Sequence, residues 1–313
     1  MKIKEFIDRH ERVKVIWEAL QKNSDEQFRK RVLGTDCLNI SVMENTNIDR
    51  KTGKSGILYQ IEMGTWGDGF FAEYKKLLNY LYFADFFQWK PCVHFSNQFT
   101  YAEDHPINGT ENPFEYFFEP IVKMDDANEY RYYVNSREVD WEFANRLKPV
   151  NGYDISEEYI QAMSEINQKY IKFNDITLRY LQSTDDLLGK NKVLGVHVRL
   201  TDFKQNFLGH PVCITAEEHL KYAVDAVKKY GFNKIFLATD DVSTVDLFRK
   251  EFGKNLLYYE DVTRSSGDVS VAFSDNVREN HHYKLALEVI RDMYTLSRCN
   301  GLIAGKSQVS ICA

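Results

Sequence analysis

A run of alternating side chains near the middle of the chain carries the first indication of chemistry. From Val193 to Asp202, apolar residues alternate with Gly195, His197 and Arg199. Because successive side chains of a strand point to opposite faces, the apolar row can pack on a core while the basic row faces another group. Open α/β sheets bind ligands at the carboxyl ends of their strands. We therefore expect the basic row to face an anion, the alternative being an edge strand whose His197 and Arg199 are solvated.

Strand and helix patterns alternate after this run. Thr215 and Glu218 have the spacing of a capping box, ahead of a helix that reaches Tyr230 and is ended by Gly231. Three further strands are predicted: Lys234 to Thr239, Leu256 to Tyr259 and Gly301 to Gly305. Two further helices are predicted: one with a cap-like start at Ser243 and Asp246 that ends near Gly253, and one from His282 to Arg298. This alternation predicts parallel βαβ units and a Rossmann-like C-terminal half.

Polar residues follow three of these strands. Asp202 comes after the strand that carries His197 and Arg199, and the other residues are Asp240, Asp241, Ser307 and Gln308. Because the carboxyl ends of parallel strands meet at one edge of a sheet, we expect all of these side chains to border a single crevice.

These motifs resemble those of the fucosyltransferases that use GDP-fucose, especially the α1,6-fucosyltransferase group with the rhizobial nodulation-factor enzymes. The family motif H-V-R-R-x-D is met by His197 to Asp202, and A-T-D-D by Ala238 to Asp241. A third motif is met by Asp292, Leu296-Ser297 and Ser307 to Val309. The resemblance implies an α/β, GT-B-like fold, with two Rossmann-like lobes and a donor-binding cleft between them.

The resemblance also implies an activity and a role for each residue. The activity is inverting transfer of fucose, or a related sugar, from a GDP-sugar to a hydroxyl of a glycan or glycoconjugate acceptor. The implied roles are guanine recognition for His197 and Asp292, support of the site for Asp202 and Asp241, and phosphate contacts for Ser307 and Gln308. Arg199 is the candidate that stabilises charge on the β-phosphate as the sugar departs. Asp240 is a possible general base.

A glycine-spaced loop in the N-terminal half adds a fourth match. Gly64, Gly67 and Gly69 precede a predicted helix from about Phe71 to Phe87, which a strand from Pro91 to Phe95 follows. Glycines let a backbone approach a pyrophosphate closely, and a helix start offers free N–H groups. A similar loop contacts the donor phosphates in the family, so we expect the same here; an ordinary turn is the alternative.

The chain departs from the family on the acceptor side. Leu200 stands where the family has a second Arg, Phe203 where the α1,6 enzymes have a Lys, and Phe207 where a catalytic Glu is expected. These departures leave open a catalytically silent sugar-nucleotide or glycan-binding protein. A nucleotide-sugar hydrolase or an unrelated Rossmann enzyme that uses NAD is disfavoured, because no G-x-G-x-x-G follows a strand with an acidic residue at the required distance.

Composition limits the other classes. With 313 residues and 43% hydrophobic content, two domains are expected, residues 1–187 and 188–313. A net charge of −6 argues against nucleic acid as a partner. No apolar span of membrane length occurs, and the five cysteines lack C-x-x-C spacing, so we expect a cytoplasmic protein with reduced thiols; peripheral membrane contact is left open.

Two pairs of adjacent residues, one of aspartates and one of histidines, could form a metal site. Asp240-Asp241 could hold a divalent ion against phosphates, and His281-His282 could ligate a transition metal. Adjacent histidines point in different directions on a helix, and the related enzymes neutralise the diphosphate with Arg rather than a metal. We therefore expect no metal and no cofactor beyond the GDP-sugar donor substrate.

Overall fold

The computed structural model describes Val13 and residues 42–48, 53–136, 156–200, 212–267, 271–273 and 278–313. Two four-stranded sheets form its framework. The strands are β1 (Met43–Glu44), β2 (Lys54–Met63), β3 (Lys90–Phe95), β4 (Tyr130–Asn135), β5 (Val193–Val198), β6 (Lys234–Thr239), β7 (Leu256–Leu257) and β8 (Gly301–Ala304). The helices are α1 (Phe70–Phe87), α2 (Met124–Ala127), α3 (Glu157–Tyr170), α4 (Asp175–Leu181), α5 (Ser183–Leu188), α6 (Ala216–Tyr230), α7 (Val242–Phe252), α8 (His281–Ser297) and α9 (Gln308–Cys312).

The first sheet has the order β1-β4-β2-β3. Strand β2 pairs in parallel with both β3 and β4, and only the short β1 runs antiparallel, against β4. Parallel neighbours need a crossover, which α1 provides between β2 and β3. The predicted helix and strand after the glycine loop are thus present, each beginning one residue earlier than expected.

The second sheet is entirely parallel, with the order β7-β6-β5-β8. Strand β5 is central, and the register places His197 beside Ala238 of β6 and Ala304 of β8. The sequence prediction of an α/β fold with parallel sheets is confirmed. The alternative of an edge strand is wrong, because β5 has hydrogen-bonded neighbours on both sides.

The two-row interpretation of β5 needs a correction. Every residue of the strand is buried, so neither face is solvated along its length. A side chain at Gly195 would lie only 3.1 Å from Leu296 and 3.2 Å from Cys299, which shows that this face packs against α8 and the turn after it. Helices cover both faces of a parallel sheet, and such strands lose their polar alternation. Only the carboxyl end of the row, at His197 and Arg199, reaches a cavity.

The ends of α6 agree with the sequence prediction, whereas the start of α7 does not. The capping box of α6 is present, with Thr215 Oγ1 accepting from the amide of Glu218, and Gly231 ends the helix at a φ of 68°. The cap-like start predicted at Ser243 is wrong by two residues, because Asp241 caps the helix by accepting from the amide of Thr244 at 2.7 Å. A carboxylate forms a charge-assisted hydrogen bond with the backbone amide, which is why Asp241, and not Ser243, is the N-cap of this helix.

Helix α8 packs on both sheets. Its first half contributes Tyr283, Leu287 and Ile290 to the large aromatic-rich core around β2, β3 and α1. Farther along, Leu296 belongs to a core cluster with Phe236 of β6. The predicted boundary between residues 187 and 188 stays a prediction, since α8 shares its apolar contacts between the two sheets. Within the described ranges, no helix is long and apolar enough to span a membrane.

Candidate functional site

A cavity of about 120 Å³ lies at the carboxyl ends of β5 and β6, against one face of α8. The polar residues on its walls include His197, Arg199, Thr239, Asp240, Glu288 and Asp292. Four residues predicted from three motifs therefore line one cavity: His197, Arg199, Asp240 and Asp292. The first three converge because parallel strands place their ends at a common edge, and Asp292 joins them from α8, which packs against the sheet.

His197 is buried, with 6% of its surface exposed. Its Nδ1 lies 3.2 Å from the hydroxyl of Ser307, whose oxygen also accepts from the amide of Ser310 and so caps α9. Burial lowers the pKa of His197 to about 4, since a charged imidazolium loses its hydration in the interior. The imidazole is therefore neutral at physiological pH, and its partner, Ser307, belongs to the third sequence motif.

Arg199 forms an ion pair with Asp240 across neighbouring strand ends. Its Nη1 lies 2.9 Å from Oδ2 of Asp240, and the other carboxylate oxygen accepts from the amide of Leu200 at 3.1 Å. Both side chains are partly exposed. The guanidinium is thus oriented from behind while it remains accessible from the cavity, as a group that binds an anion requires.

Asp292 is the most unusual residue of the cavity. Only 8% of its surface is exposed, and its Oδ1 has no hydrogen-bond partner among the described residues. Burial raises the pKa of Asp292 to about 7, although Arg264 and Arg291 oppose the shift. Buried polar atoms in folded proteins are nearly always paired. An acceptor left open on a cavity wall is therefore suited to a ligand that donates hydrogen bonds.

Glu288 was not foreseen from the sequence. It lies four residues before Asp292 on the same face of α8, and its carboxylate accepts from Arg278 at 2.6 Å and from the amide of Thr263 at 3.3 Å. The i, i+4 spacing of the two carboxylates was a signal that could have identified it. Unlike Asp292, Glu288 has protein partners for both of its oxygens, which points to a structural role in the cavity wall.

The remaining predicted residues lie elsewhere. Asp241 is buried, and its carboxylate accepts from Ser243 and Thr244 at the start of α7, so its described contacts are those of a helix cap rather than a donor ligand. Ser307 contacts His197 from the edge of the cavity. Gln308 begins α9 and is not one of the residues that line the cavity. Asp202 lies outside the described residues.

The glycine loop is tied to its own neighbours. Gly64 has a φ of 103°, and its amide donates to Glu73; Gly67 has a φ of 94°, and its amide donates to Thr100 at 3.0 Å. Gly69 is the N-cap of α1. The loop borders a separate cavity of about 590 Å³. Its glycines are explained by backbone geometry, and their contact with donor phosphates stays a prediction.

Metal ligation was also considered at these positions. In the parts of the chain that the structure describes, no group of three or more His, Cys, Asp or Glu side chains could hold an ion. Asp240 is paired with Arg199, and Asp241 caps α7. The two adjacent carboxylates therefore have separate structural tasks.

Known structures share this fold. No protein-family model and no curated protein sequence matches the chain. The structure of NodZ alpha-1,6-fucosyltransferase soaked with GDP-fucose is 15% identical, with a TM-score of 0.50 over 83% of this chain and 92% of that one. The structure of the same enzyme co-crystallised with GDP is 16% identical, with a TM-score of 0.51 over 83% of this chain and 92% of that one. The structure of fucosyltransferase NodZ from Bradyrhizobium is 14% identical, with a TM-score of 0.50 over 83% of this chain and 93% of that one. The chain thus has the fold of fucosyltransferases, the group that its motifs resemble.

Proposed function

We propose that this protein is a glycosyltransferase that moves fucose, or a related sugar, from a GDP-sugar to a glycan hydroxyl with inversion at the anomeric carbon. One observation carries the proposal. His197 and Arg199 lie together at the end of β5, Asp292 lies far along the sequence on α8, and all three line one cavity. They do so in a fold shared with a fucosyltransferase whose structures were obtained with GDP-fucose and with GDP.

Guanine recognition is assigned to Asp292 and His197. Guanine presents a ring N–H and an amino group on one edge, and a carboxylate accepts from both. Adenine lacks that ring N–H donor, and uracil lacks the amino group. The Oδ1 of Asp292 has no hydrogen-bond partner among the described residues, and neutral His197 lies on the same wall. Leaving such an acceptor unpaired is costly, so the wrong base should be rejected.

Charge stabilisation is assigned to Arg199. As the bond between sugar and phosphate breaks, negative charge accumulates on the β-phosphate, and a fixed guanidinium stabilises that state more than the ground state. Two N–H groups of a guanidinium can pair with two phosphate oxygens, and each charge-assisted bond contributes about 1.5–3 kcal/mol. The ion pair with Asp240 holds the group in its orientation before the donor arrives.

Asp240 fits a positioning role better than that of a general base. Both of its oxygens have partners, one in Arg199 and the other in the amide of Leu200. A carboxylate bound to a guanidinium is a weaker proton acceptor than an isolated one. We therefore assign Asp240 to orienting Arg199 and leave the acceptor-side base unassigned; an oxocarbenium-like transition state depends little on strong base assistance.

Three sequence predictions belong to the same proposal. They are the division into lobes 1–187 and 188–313 with a donor cleft between them, a cytoplasmic location, and a reaction that needs no metal. The two separate parallel-strand sheets support the first. The composition supports the second. For the third, the positive charge of Arg199 at the cavity serves the purpose that a divalent ion serves in other nucleotide-sugar enzymes.

Nucleotide selectivity tests the proposal directly. Ligand binding stabilises a folded protein by mass action, so GDP should raise the melting temperature clearly more than UDP or ADP at equal concentration. Asp292→Asn should remove most of this preference, whereas Asp246→Asn, an exposed carboxylate change on α7, should leave it intact. Equal shifts for the three nucleotides with the parent protein would contradict guanine recognition.

Turnover then separates an enzyme from a silent binding protein. With GDP-fucose and a mixture of glycan acceptors, a transferase releases GDP faster than it does with donor alone. A protein that binds GDP selectively but releases none under either condition would be the silent binder.

A further inference from the structure

A second concave surface adjoins the proposed donor cavity at the start of α8. It measures about 700 Å³, and Ala272 lines both this surface and the donor cavity. We call it the α8 groove and define it by Asn97, Glu103, Asp104, His105, His281 and His282. Along α8, His281 precedes Asp292 by eleven residues, or roughly 16 Å of helix. The groove thus lies at the N-terminal end of α8, and Asp292, the residue proposed to recognise guanine, lies toward the other end.

The two walls of the groove are held together by polar contacts. Glu103 accepts from the backbone amide of Tyr283 at 2.9 Å, in the first turn of α8. His105 places one ring nitrogen 2.7 Å from Asp104 and the other 3.0 Å from the side-chain oxygen of Asn280. Both walls are therefore fixed before a ligand arrives, which reduces the entropy cost of binding.

Two imidazoles on the α8 wall each have a ring nitrogen with no hydrogen-bond partner among the described residues. His281 is 8% exposed, and its Nδ1 is buried with no hydrogen-bond partner among the described residues. The Nδ1 of His282 is in the same condition. Because buried polar atoms are nearly always paired in folded proteins, these two nitrogens leave hydrogen-bonding capacity at this wall.

An exposed tryptophan stands at the rim of the groove. Trp66, in the glycine loop, is 65% exposed, and its ring centroid lies 6.3 Å from that of His282. An aromatic face packs well against the C–H face of a sugar ring, so this exposed ring can serve as a stacking surface. The combination of a ring platform with amide, carboxylate and imidazole groups is suited to a hydroxyl-rich ligand.

The charge of the groove selects among such ligands. Among the residues that line the groove, three carboxylates, Glu103, Asp104 and Glu279, outnumber one arginine, Arg278; Asp104 is paired with His105, and Arg278 with Glu288. The surface therefore repels anions in spite of its histidines.

We propose that the α8 groove binds an uncharged, hydroxyl-rich saccharide, with Trp66 as its stacking platform. The proposal rests on the proposed function in one respect only, namely that this saccharide is the acceptor of the transfer. It gives the acceptor a place beside the donor cavity and a chemical class: a neutral glycan rather than a sialylated, sulfated or uronic one.

Ligand-observed NMR titrations test the groove with the full-length protein. The probes are cellotetraose and tetra-N-acetylchitotetraose as neutral saccharides and tetragalacturonate as their anionic counterpart, each titrated with and without saturating GDP. At least one neutral tetrasaccharide should bind saturably, and tetragalacturonate at least tenfold more weakly. Trp66→Ala should weaken the neutral binding at least fivefold, and Trp66→Phe, which keeps an aromatic ring, less than that.

Matched controls separate this inference from the proposed function. Tyr222→Ala removes another exposed aromatic ring, on α6, and should leave saccharide binding unchanged. Unaltered binding by Trp66→Ala, equal binding of the anionic probe, or no binding of either neutral probe would overturn the groove. If GDP binds the parent protein normally in those cases, only the groove fails. If saccharides bind but GDP does not, the proposed function fails and the groove stands.

Discussion

The donor cavity and the glycine loop were both expected to bind the nucleotide, but their polar groups are arranged differently. In the cavity, Asp292 has a buried oxygen with no hydrogen-bond partner in the part of the chain that the structure describes, and Arg199 is accessible beside its ion pair. In the loop, the amides of Gly64 and Gly67 already donate to Glu73 and Thr100.

The difference separates groups that await a ligand from groups that hold a scaffold. An unpaired buried acceptor costs stability, which a donating ligand restores, whereas a satisfied amide must lose a bond before it can bind anything. The cavity is therefore the stronger candidate for donor contact, and the loop is better explained as a support for the start of α1. Changes on the two sides should have different signatures, in activity for the cavity and in stability for the loop.

The largest effect is expected at Arg199. Arg199→Ala removes the charge at the β-phosphate and should lower the rate of transfer by about 10²–10³-fold, the usual loss when one preorganised donor is removed. Arg199→Lys keeps the charge without the planar fork and should lower the rate at least tenfold, or about 1.4 kcal/mol in the barrier. Initial rates with GDP-fucose at saturating acceptor measure both.

The control is Arg298→Lys, which alters an exposed arginine paired with Asp185 and should leave the rate unchanged. Melting temperatures near the parent value are expected for all three variants. Parent-like transfer by Arg199→Lys would show that Arg199 is structural, and the role assigned to the cavity would then be wrong.

On the loop side, Glu73→Gln should act on folding. This carboxylate is 1% exposed and accepts from Gly64, Thr65 and Lys76. The amide loses the charge-assisted part of these bonds, so the free energy of unfolding should fall by about 1.5–3 kcal/mol in urea titrations. Glu217→Gln, at an exposed position of α6, should change it by less than about 0.5 kcal/mol.

Kinetics of the same variant sharpen the comparison. If the loop is only a support, Glu73→Gln keeps the parent KM for GDP-fucose well below its melting temperature. A KM raised tenfold, with the protein fully folded, would place the loop in the donor site after all.

The pH dependence of GDP binding should report Asp292. Its pKa of about 7 in the free protein means that the carboxyl is mostly protonated below that pH and cannot accept from two guanine donors. Affinity should therefore fall about tenfold per pH unit below pH 7 and level off above it. His197 does not titrate in this range, because its pKa is near 4.

Asp292→Asn provides the comparison, since GDP itself titrates near neutral pH. Calorimetric Kd values from pH 6 to 8 should retain only the nucleotide's own slope in this variant. Identical profiles for the parent and the variant would rule out the carboxylate as the group responsible.

Local signals predicted some features well, and tertiary contacts decided the others. Thr215 and Gly231 set the ends of α6 from short-range geometry, which is why that helix was predicted at its observed bounds. The burial of Gly195 depends on where α8 packs, which β5 alone does not encode. Similarly, the pair of Arg278 and Glu288 joins residues ten positions apart across a turn, so its geometry depends on the fold.

The candidate site divides in the same way. Motif resemblance located four of the residues that line the cavity, and three of them, His197, Arg199 and Asp240, meet there because strand ends lie at one edge of a parallel sheet. It gave Asp241 a role in supporting the site, and the structure shows that the carboxylate of Asp241 caps α7. A carboxylate directly after a strand and before a helix fits both roles, and only its contacts distinguish them.

The smallest effect is expected from a matched pair of glycines in the loop. A Cβ placed at Gly67 or at Gly69 would meet nothing within 4 Å, so neither change produces a steric clash. The positions differ in backbone conformation: Gly67 has a φ of 94°, and Gly69 a φ of −70° at the N-cap of α1. Gly67→Ser should therefore cost about 1 kcal/mol in unfolding free energy, because L-residues are strained at positive φ. Gly69→Ser should be neutral or stabilising by a few tenths of a kcal/mol, since a serine hydroxyl caps a helix better than glycine.

Urea titrations measure both changes in unfolding free energy, and transfer rates are measured on the same preparations. Unchanged rates in both variants would support the loop as a scaffold, whereas a loss of transfer in Gly69→Ser without a loss of stability would show that the start of α1 contacts the donor.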